Sequence, residues 1–566
     1  MMTKNIARIV VSSYILLCAL PAKAAPLGPD AGQTIRELQQ QPELSVPKST
    51  TPLQPVPELE PVPKDGAVPE VQPGAELSML VKSIHVSGNS VIATAELEAL
   101  LADLVGSEHT LTELNKGAAR ITAYYHERGY IVSRAYIPPQ KIQDGAVMFS
   151  VQEGRIGEKR INNLSRLSDL RAEEYMEVAR SGDVLQAAPV DRALLLLNET
   201  PGVGAARASL QPGASVGTAD LVLELSPSVP YSANIQMDNY GGYYTGENRL
   251  GAELALNSPR KIGDLLTLRA MVTDQNLTYA YIAYQIPVGG NGLRVGGTYS
   301  GTSYRLGKEL ASSESHGTAK VSSLVAVYPF IRSPKSNLSG TLALENKQLK
   351  DEIATFSPIE KQVRLATFGV AGDLRDVFGG GGITLFDLSL ATGSLSMDDA
   401  TLADDKLSAQ TNGSFIRLDY KLNRLQRLSD SYSLSLSLSG QYANKNLNSS
   451  EQFSLGGAYG VRAYPQGEAL GDEGRLAAVE VRHSFTQSLE GVVFFDAGSV
   501  IVNRNPYLSG SNTRFISGGG VGAKAKIAGI EIKAYFALRG SGGQPTSEPD
   551  TMNKKSRLWL QLGKYF

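Results

Sequence analysis

A chain of 566 residues is long enough for several domains, and 54 Lys+Arg against 56 Asp+Glu (net charge −2) gives no basic field to draw nucleic acid. A mean hydropathy of −0.13 excludes a bundle of apolar membrane helices. It does not exclude a membrane barrel, in which only alternate residues meet lipid; Gly 57, Tyr 24 and 19% charged residues suit β structure with many turns.

In chain order, Lys4 and Arg8 precede an apolar run from Ile9 to Leu20, and Ala22-Lys23-Ala24 supplies a small-x-small cleavage site. Residues 1–24 are therefore expected to be a secretory signal peptide, too short to be kept as a spanning helix. The only cysteine, Cys18, falls inside it, so no thiol, disulfide or Cys-metal chemistry is expected in the mature chain. Leu17 before Cys18 speaks against a lipid anchor. Within residues 25–41, Gln33–Gln41 consists of good helix formers, but a helix so short and polar is marginal in water and needs a surface, failing which it is a frayed stub. Residues 42–76 carry prolines at 42, 47, 52, 55, 57, 61, 63, 69 and 73, which fix an extended, polyproline-like linker.

Residues 77–153 read as a β-α-α-β-β module. Val81–Val86 is the first strand; Leu97, Leu100, Leu101 and Leu104 mark a helical face. Thr110-x-x-Glu113 is a capping box opening a second helix with the stripe Leu114, Ala118, Ile121 and Tyr125, and Gly129 stops it. Strands at Tyr130–Ile137 and Ala146–Gln152 follow. Residues 154–228 repeat the order less clearly: a strand at Gly157–Asn162, helices at Leu167–Ala179 and Val190–Asn198 (Pro189 at a first helical position), strands at Ala206–Gln211 and Leu221–Leu225. From the pattern alone such modules are either capture devices or spacers.

From 229 to 566 the period changes to two. Tyr432, Leu434, Leu436 and Leu438 alternate with serines; Ile416, Leu418, Tyr420 and Leu422 alternate with Arg417, Asp419 and Lys421; Val479, Val481 and Phe485 alternate with Glu480, Arg482 and Ser484. A one-residue slip would put charge into lipid, so register is strongly set. About sixteen such runs, starting near 231, 245, 264, 277, 293, 318, 337, 361, 381, 412, 431, 474, 490, 514, 529 and 557, predict an antiparallel transmembrane barrel, which leaves no backbone edge in lipid. A soluble β-sandwich would seldom carry so many strands with polar inner faces. The last run ends in Phe566, with Lys564 where an apolar residue is usual.

Between two of these strands lies Leu455–Glu468, too rich in glycine for a ladder and carrying a proline and a single arginine. The five histidines (85, 109, 126, 316, 483) are scattered, no phosphate-binding loop appears, and Gly518–Gly522 lacks the strand-turn-helix context of a dinucleotide site, so a close approach within the barrel is expected there. Gly379–Gly382 is expected to be a turn. No catalytic residue, cofactor or metal is indicated.

Val461-Arg462-Ala463-Tyr464 followed by Phe494-x-Asp496-x-Gly498 resembles the paired signature Val-Arg-Gly-Tyr and Phe-x-Asp-x-Gly of outer-membrane two-partner secretion transporters, the haemolysin-activator and filamentous-haemagglutinin-transporter family. Alanine stands at 463 in place of the usual glycine. The resemblance implies α+β periplasmic modules of the polypeptide-transport-associated (POTRA) type followed by a barrel of about sixteen strands in the outer membrane of a Gram-negative bacterium. It implies that the loop tucks into the lumen, where Arg462 meets Asp496 on the wall, and that the N-terminal helix plugs the lumen. Its implied partners are a secreted exoprotein of the TpsA type, captured by strand addition and exported without ATP, outer-membrane lipid, and a barrel-assembly machinery reading Phe566. The alternatives are a barrel-assembly or insertion factor, and a passive porin or adhesin.

Overall fold

The computed structural model describes residues 28–39, 78–354 and 357–566. The expected signal peptide and Pro-rich linker, and the ends of the expected plug segment, lie outside them.

The first described element is helix α1, Ala31–Gln39. Asp30 starts it: its carboxylate accepts from the Gln33 amide at 2.7 Å, satisfying one of the amides a helix start leaves free. The first module runs β1 (Met79–Leu80), β2 (Ser83–Ser87), α2 (Thr94–Ala99), β3 (Glu108–His109), α3 (Leu111–Glu127), β4 (Arg134–Tyr136) and β5 (Ala146–Gln152). Its main sheet has the order β2-β5-β4, with β2 parallel and β4 antiparallel to β5. The capping box on α3 is made in both directions by Thr110 and Glu113. Leu114, Ala118, Ile121 and Tyr125 face the core with Leu97, Leu101 and Phe149, as the 3.6 spacing predicts.

Two expectations here need correction. The leucines 97–104 do not make one helix: α2 ends at Ala99 and a separate 3₁₀ turn, Ala102–Leu104, carries the last of them. Strand β4 is also shorter than expected, because Pro138 cannot donate to Met148. The Gln140 amide takes its place, donating to the Met148 carbonyl at 2.8 Å and accepting from its N–H at 2.9 Å.

The second module repeats the topology: β6 (Arg155–Asn163), α4 (Asp169–Tyr175), α5 (Ala187–Asn198), β7 (Val203–Pro212) and β8 (Thr218–Pro227), in sheet order β6-β8-β7. Helix α4 is shorter than expected. Pro189 is the third residue of α5, not the first, still within the turn whose amides lack intrahelical partners.

Sixteen antiparallel strands then close on themselves. They are β9 (Tyr231–Asp238), β10 (Arg249–Asn257), β11 (Leu265–Thr273), β12 (Thr278–Val288), β13 (Leu293–Arg305), β14 (His316–Arg332), β15 (Ser336–Glu352) and β16 (Ile359–Asp376). There follow β17 (Gly382–Met397), β18 (Gly413–Arg427) and β19 (Tyr432–Ala443). A short pair, β20 (Phe453–Ser454) and β21 (Leu470–Gly471), stands apart from the ring. The wall resumes with β22 (Glu473–Thr486), β23 (Leu489–Ile501), β24 (Thr513–Ile527), β25 (Ile530–Arg539) and β26 (Ser556–Tyr565), which pairs with β9. Exposed Ile416, Leu422, Leu436, Leu438, Val479, Val481 and Phe485 form the outer face, as the period of two required. Gly379, Gly380 and Gly381 turn with positive φ, as expected.

Lys564 pairs across from Ile235 and Ile530, both exposed, so it stands on the outer face at the rim next to the modules. Its ammonium lies 5.1 Å from the Phe566 ring centre, a long side chain lifting its charge out of the apolar band. Turns on this rim are short. Most connections on the far rim are longer, and the longest, 444–472, folds inward.

The second module is bolted to the near rim. The Ser168 amide donates to the Lys261 carbonyl at 2.9 Å, Arg166 to that of Asn257 at 3.1 Å, and Arg332 pairs with Glu199 at 3.0 Å.

Candidate functional site

The inward loop is rooted by β20 and β21, whose register pairs Phe453 with Gly471 and Ser454 with Leu470. Beyond that clasp the Val461 amide donates to the Leu455 carbonyl at 2.7 Å and the Tyr464 amide to that of Val461 at 3.0 Å, which rolls the tip into a compact turn. Leu455, Val461, Ala463 and Tyr464 bury themselves against Phe494, Val492, Val500, Ile516 and Ala537 of the wall. This apolar seal carries the tip down the lumen, because an exposed loop of these residues would leave the same area in water.

The seal sets Arg462 against the wall. Its Nε donates to Asp496 Oδ2 at 2.8 Å and its Nη2 to Oδ1 at 2.7 Å, a bidentate pair in which Asp496 is 0% exposed. The Arg462 amide adds a third bond to Oδ2 at 3.1 Å, so the carboxylate fixes both the side chain and the turn that bears it. Nη1 donates to Glu480 Oε1 at 2.7 Å, and the guanidinium carbon lies 3.5 Å from the centre of the Phe494 ring. The Trp559 indole donates to the Arg462 carbonyl at 2.7 Å. The Tyr464 hydroxyl donates to the carbonyls of Ser541 and Gly543 at 3.1 and 3.0 Å.

All seven residues expected at the site are brought together. Alanine at 463 fits for two reasons. Its φ is not positive, so the position does not demand glycine, and the wall opposite is Gly518, where an added Cβ would come within 2.3 Å of the Ala463 methyl. Gly498 likewise makes room: a Cβ there would meet Leu455 Cδ2 at 2.5 Å. The run Gly518–Gly522 is thus a close approach inside β24.

Four partners were not foreseen from sequence. In the sequence Glu480 is only one of the polar residues alternating along its strand, and Trp559 lies between two outward leucines. Glu468, 0% exposed, accepts from the Thr546 and Ser547 amides at 2.8 Å each and pairs with Arg514, tying the loop to the 540–555 connection. Glu451, also 0% exposed, pairs with Lys347 at 2.7 Å and with Arg417. For Glu480 and Trp559 the only available signal is strand alternation, which assigns a face but no partner, and Glu451 and Glu468 lie in the loop, where no periodicity marks them.

The haemolysin secretion/activation protein family ShlB/FhaC/HecB matches residues 217–525, more than half of the chain, and the ShlB-type POTRA domain matches residues 79–154. The chain belongs to this family. Heme/hemopexin transporter protein HuxB of Haemophilus influenzae is 28% identical over 575 residues, covering 99% of each chain. Outer membrane transporter CdiB of Dickeya dadantii is 24% identical and covers 70% of each. In fold, CdiB from Escherichia coli superposes with a TM-score of 0.76 at 19% identity, covering 96% of this chain and 100% of its own. The protein is thus an outer-membrane transporter of the two-partner secretion type, its modules in the periplasm and its barrel in the membrane. In that setting the loop is a strap laid through the barrel lumen and pinned at its tip by a buried ion pair.

Proposed function

We propose that this transporter exports a single large exoprotein of the TpsA type, unfolded, through its own lumen, after α1 has withdrawn. The observation that supports the reading most is double occupancy: α1 and the inward loop both lie inside the ring of strands. Ile35 is 1% exposed there, packed with residues such as Tyr304, Val321 and Leu349. A helix of nine residues has little stability alone, so the wall makes it and its departure unmakes it. The strap remains, held by Arg462 on Asp496, and narrows the path to an extended chain.

Strand β2 of the first module, and β6 and β7 of the second, stand at sheet edges where an extended client can add by strand pairing without needing to be folded, whereas the Ala135 amide of the other edge strand, β4, already donates to Thr122 of α3 at 2.9 Å. Folding outside the cell supplies the pull in a compartment without ATP. Phe566 closes β26 as the mark read by a barrel-assembly machinery. The relative named for heme and hemopexin spans the whole chain, which makes a haem-acquiring exoprotein the first partner to try.

The test is co-production of this chain with a candidate TpsA-type exoprotein from the same genome, in cells lacking both. Surface appearance of the exoprotein should require the transporter, and without it the exoprotein should be trapped and degraded in the periplasm. Equal surface levels in both strains would refute the proposal.

A further inference from the structure

Helix α1 does not rest on the strand wall alone. It sits on the short turn Ser449–Glu451, which lies at the root of the inward loop rather than at its tip. Ser449 Oγ donates to the Asp30 carboxylate at 2.7 and 2.8 Å, and Gly32 packs so closely that a Cβ would meet Ser450 N at 2.8 Å. Arg36 reaches under this turn. Its Nε donates to the Gln452 carbonyl at 3.0 Å and its Nη2 to Gln441 Oε1 at 3.0 Å, with Asp419 at 3.9 Å. Gln441, 0% exposed, passes the contact on, donating from Nε2 to the Glu451 carbonyl at 2.8 Å.

At the centre is Glu451. Its carboxylate lies between Lys347 of β15 and Arg417 of β18; Lys347 also pairs with Glu345 at 3.1 Å and Arg417 with Asp419 at 2.8 Å. Three cations, Arg36, Lys347 and Arg417, thus face three anions, Glu451, Glu345 and Asp419. Glu451 and Lys347 are at most 2% exposed, so their charges are little screened. Without the Glu451 charge, two wall cations would face the Arg36 guanidinium with one anion too few. The tip anchor is separate: Arg462 hydrogen-bonds Asp496, Glu480 and Trp559 and lies over the Phe494 and Tyr535 rings, and none of these is on α1.

We infer that Glu451 is a positioning residue that seats α1, so that the closed state of the lumen is set by a charge at the root of the strap, independently of the Arg462 pair at its tip. This rests on the reading that α1 closes the lumen. A ligand shifts a two-state equilibrium only through its differential interaction with the states, and here the helix is the ligand and the charge balance around Glu451 the difference.

The test is single-channel recording on the purified full-length protein and its variants in planar bilayers, each checked first for a heat-modifiable barrel band. A chain lacking Ala31–Gln39 should conduct steadily; if it conducts no more than wild type, the plug reading itself fails. Given an open deletion, Glu451→Gln should raise the open fraction about tenfold over wild type, which corresponds to about 1.4 kcal/mol. In the double variant Glu451→Gln/Arg36→Gln the added opening should be smaller than the sum of the two single effects, because removing Arg36 relieves its repulsion from Lys347 and Arg417. Wild-type closure in Glu451→Gln, or strictly additive effects, overturns the inference. If Glu451→Gln gives no folded band, Arg36→Glu carries the test from the helix side. It sets a new carboxylate against Glu451 and Asp419 and must open the channel, and a closed Arg36→Glu channel would be equally fatal.

Discussion

Arg462 uses its side chain and its own amide to hold two carboxylates, and Asp496 accepts three of those four bonds with no exposure to solvent. Removing one partner of a buried pair costs on the order of 3–5 kcal/mol, chiefly by stranding the other charge. Glu480 is partly open to the lumen, which lowers the figure on that side. Arg462→Ala should therefore free the loop tip and abolish export while the barrel still shows its heat-modifiable band. Arg462→Lys should restore little, since an ammonium cannot span Asp496 and Glu480 as a planar fork does. Quantifying exoprotein at the cell surface checks both, and wild-type export from Arg462→Ala would remove the pair from the mechanism.

At the scale of elements, Glu153 directly follows β5 and ties three parts of the first module together. It accepts from the Ser90 and Val91 amides at 2.6 and 3.0 Å, from the Ser90 hydroxyl, and from Tyr125 of α3 at 3.0 Å. Burial pushes its carboxyl up, but these bonds to the charged form outweigh burial and hold it below the ordinary glutamate value. A depressed carboxylate contributes its stability above the unfolded pKa and loses it as pH falls through the folded one. The module should thus loosen in acid, and Glu153→Gln should lose about 2 kcal/mol near neutrality and much of the acid sensitivity. Hydrogen exchange of the α3 amides in the detergent-solubilised full chain measures this; unchanged protection at neutral pH would show that Glu153 ties nothing.

At the scale of the molecule, the second module transmits position to the barrel through the Ser168, Arg166, Arg332 and Arg294 contacts. The rim turn at Gly290 lies so near α4 that a Cβ would stand 2.1 Å from the Glu174 carbonyl oxygen. Gly290→Val should push the module off the rim, expose residues 154–228 to protease and depress export severalfold, with the barrel intact. Limited proteolysis on outer membranes reads the first effect, and full protection would mean the rim yields instead.

How much of this was legible in the sequence depends on the range of the interaction that fixes it. Strand number, register and outer face follow from a period of two, because lipid on one side and water on the other act on each residue separately. The capping box at Thr110 and Glu113 and the turn at Gly379–Gly381 are local for the same reason. Arg462 and Asp496 were nameable as a pair only through the resemblance, since alternation says that Asp496 faces inward but not what it meets. The tertiary structure alone decided that Gly518 receives the Ala463 methyl, that Glu480 and Trp559 complete the tip, and that Arg36, Lys347, Arg417 and Glu451 converge although they are drawn from four separate stretches of chain. Such contacts arise where closure of the ring brings distant strands face to face across the lumen, and no spacing along the chain encodes that distance.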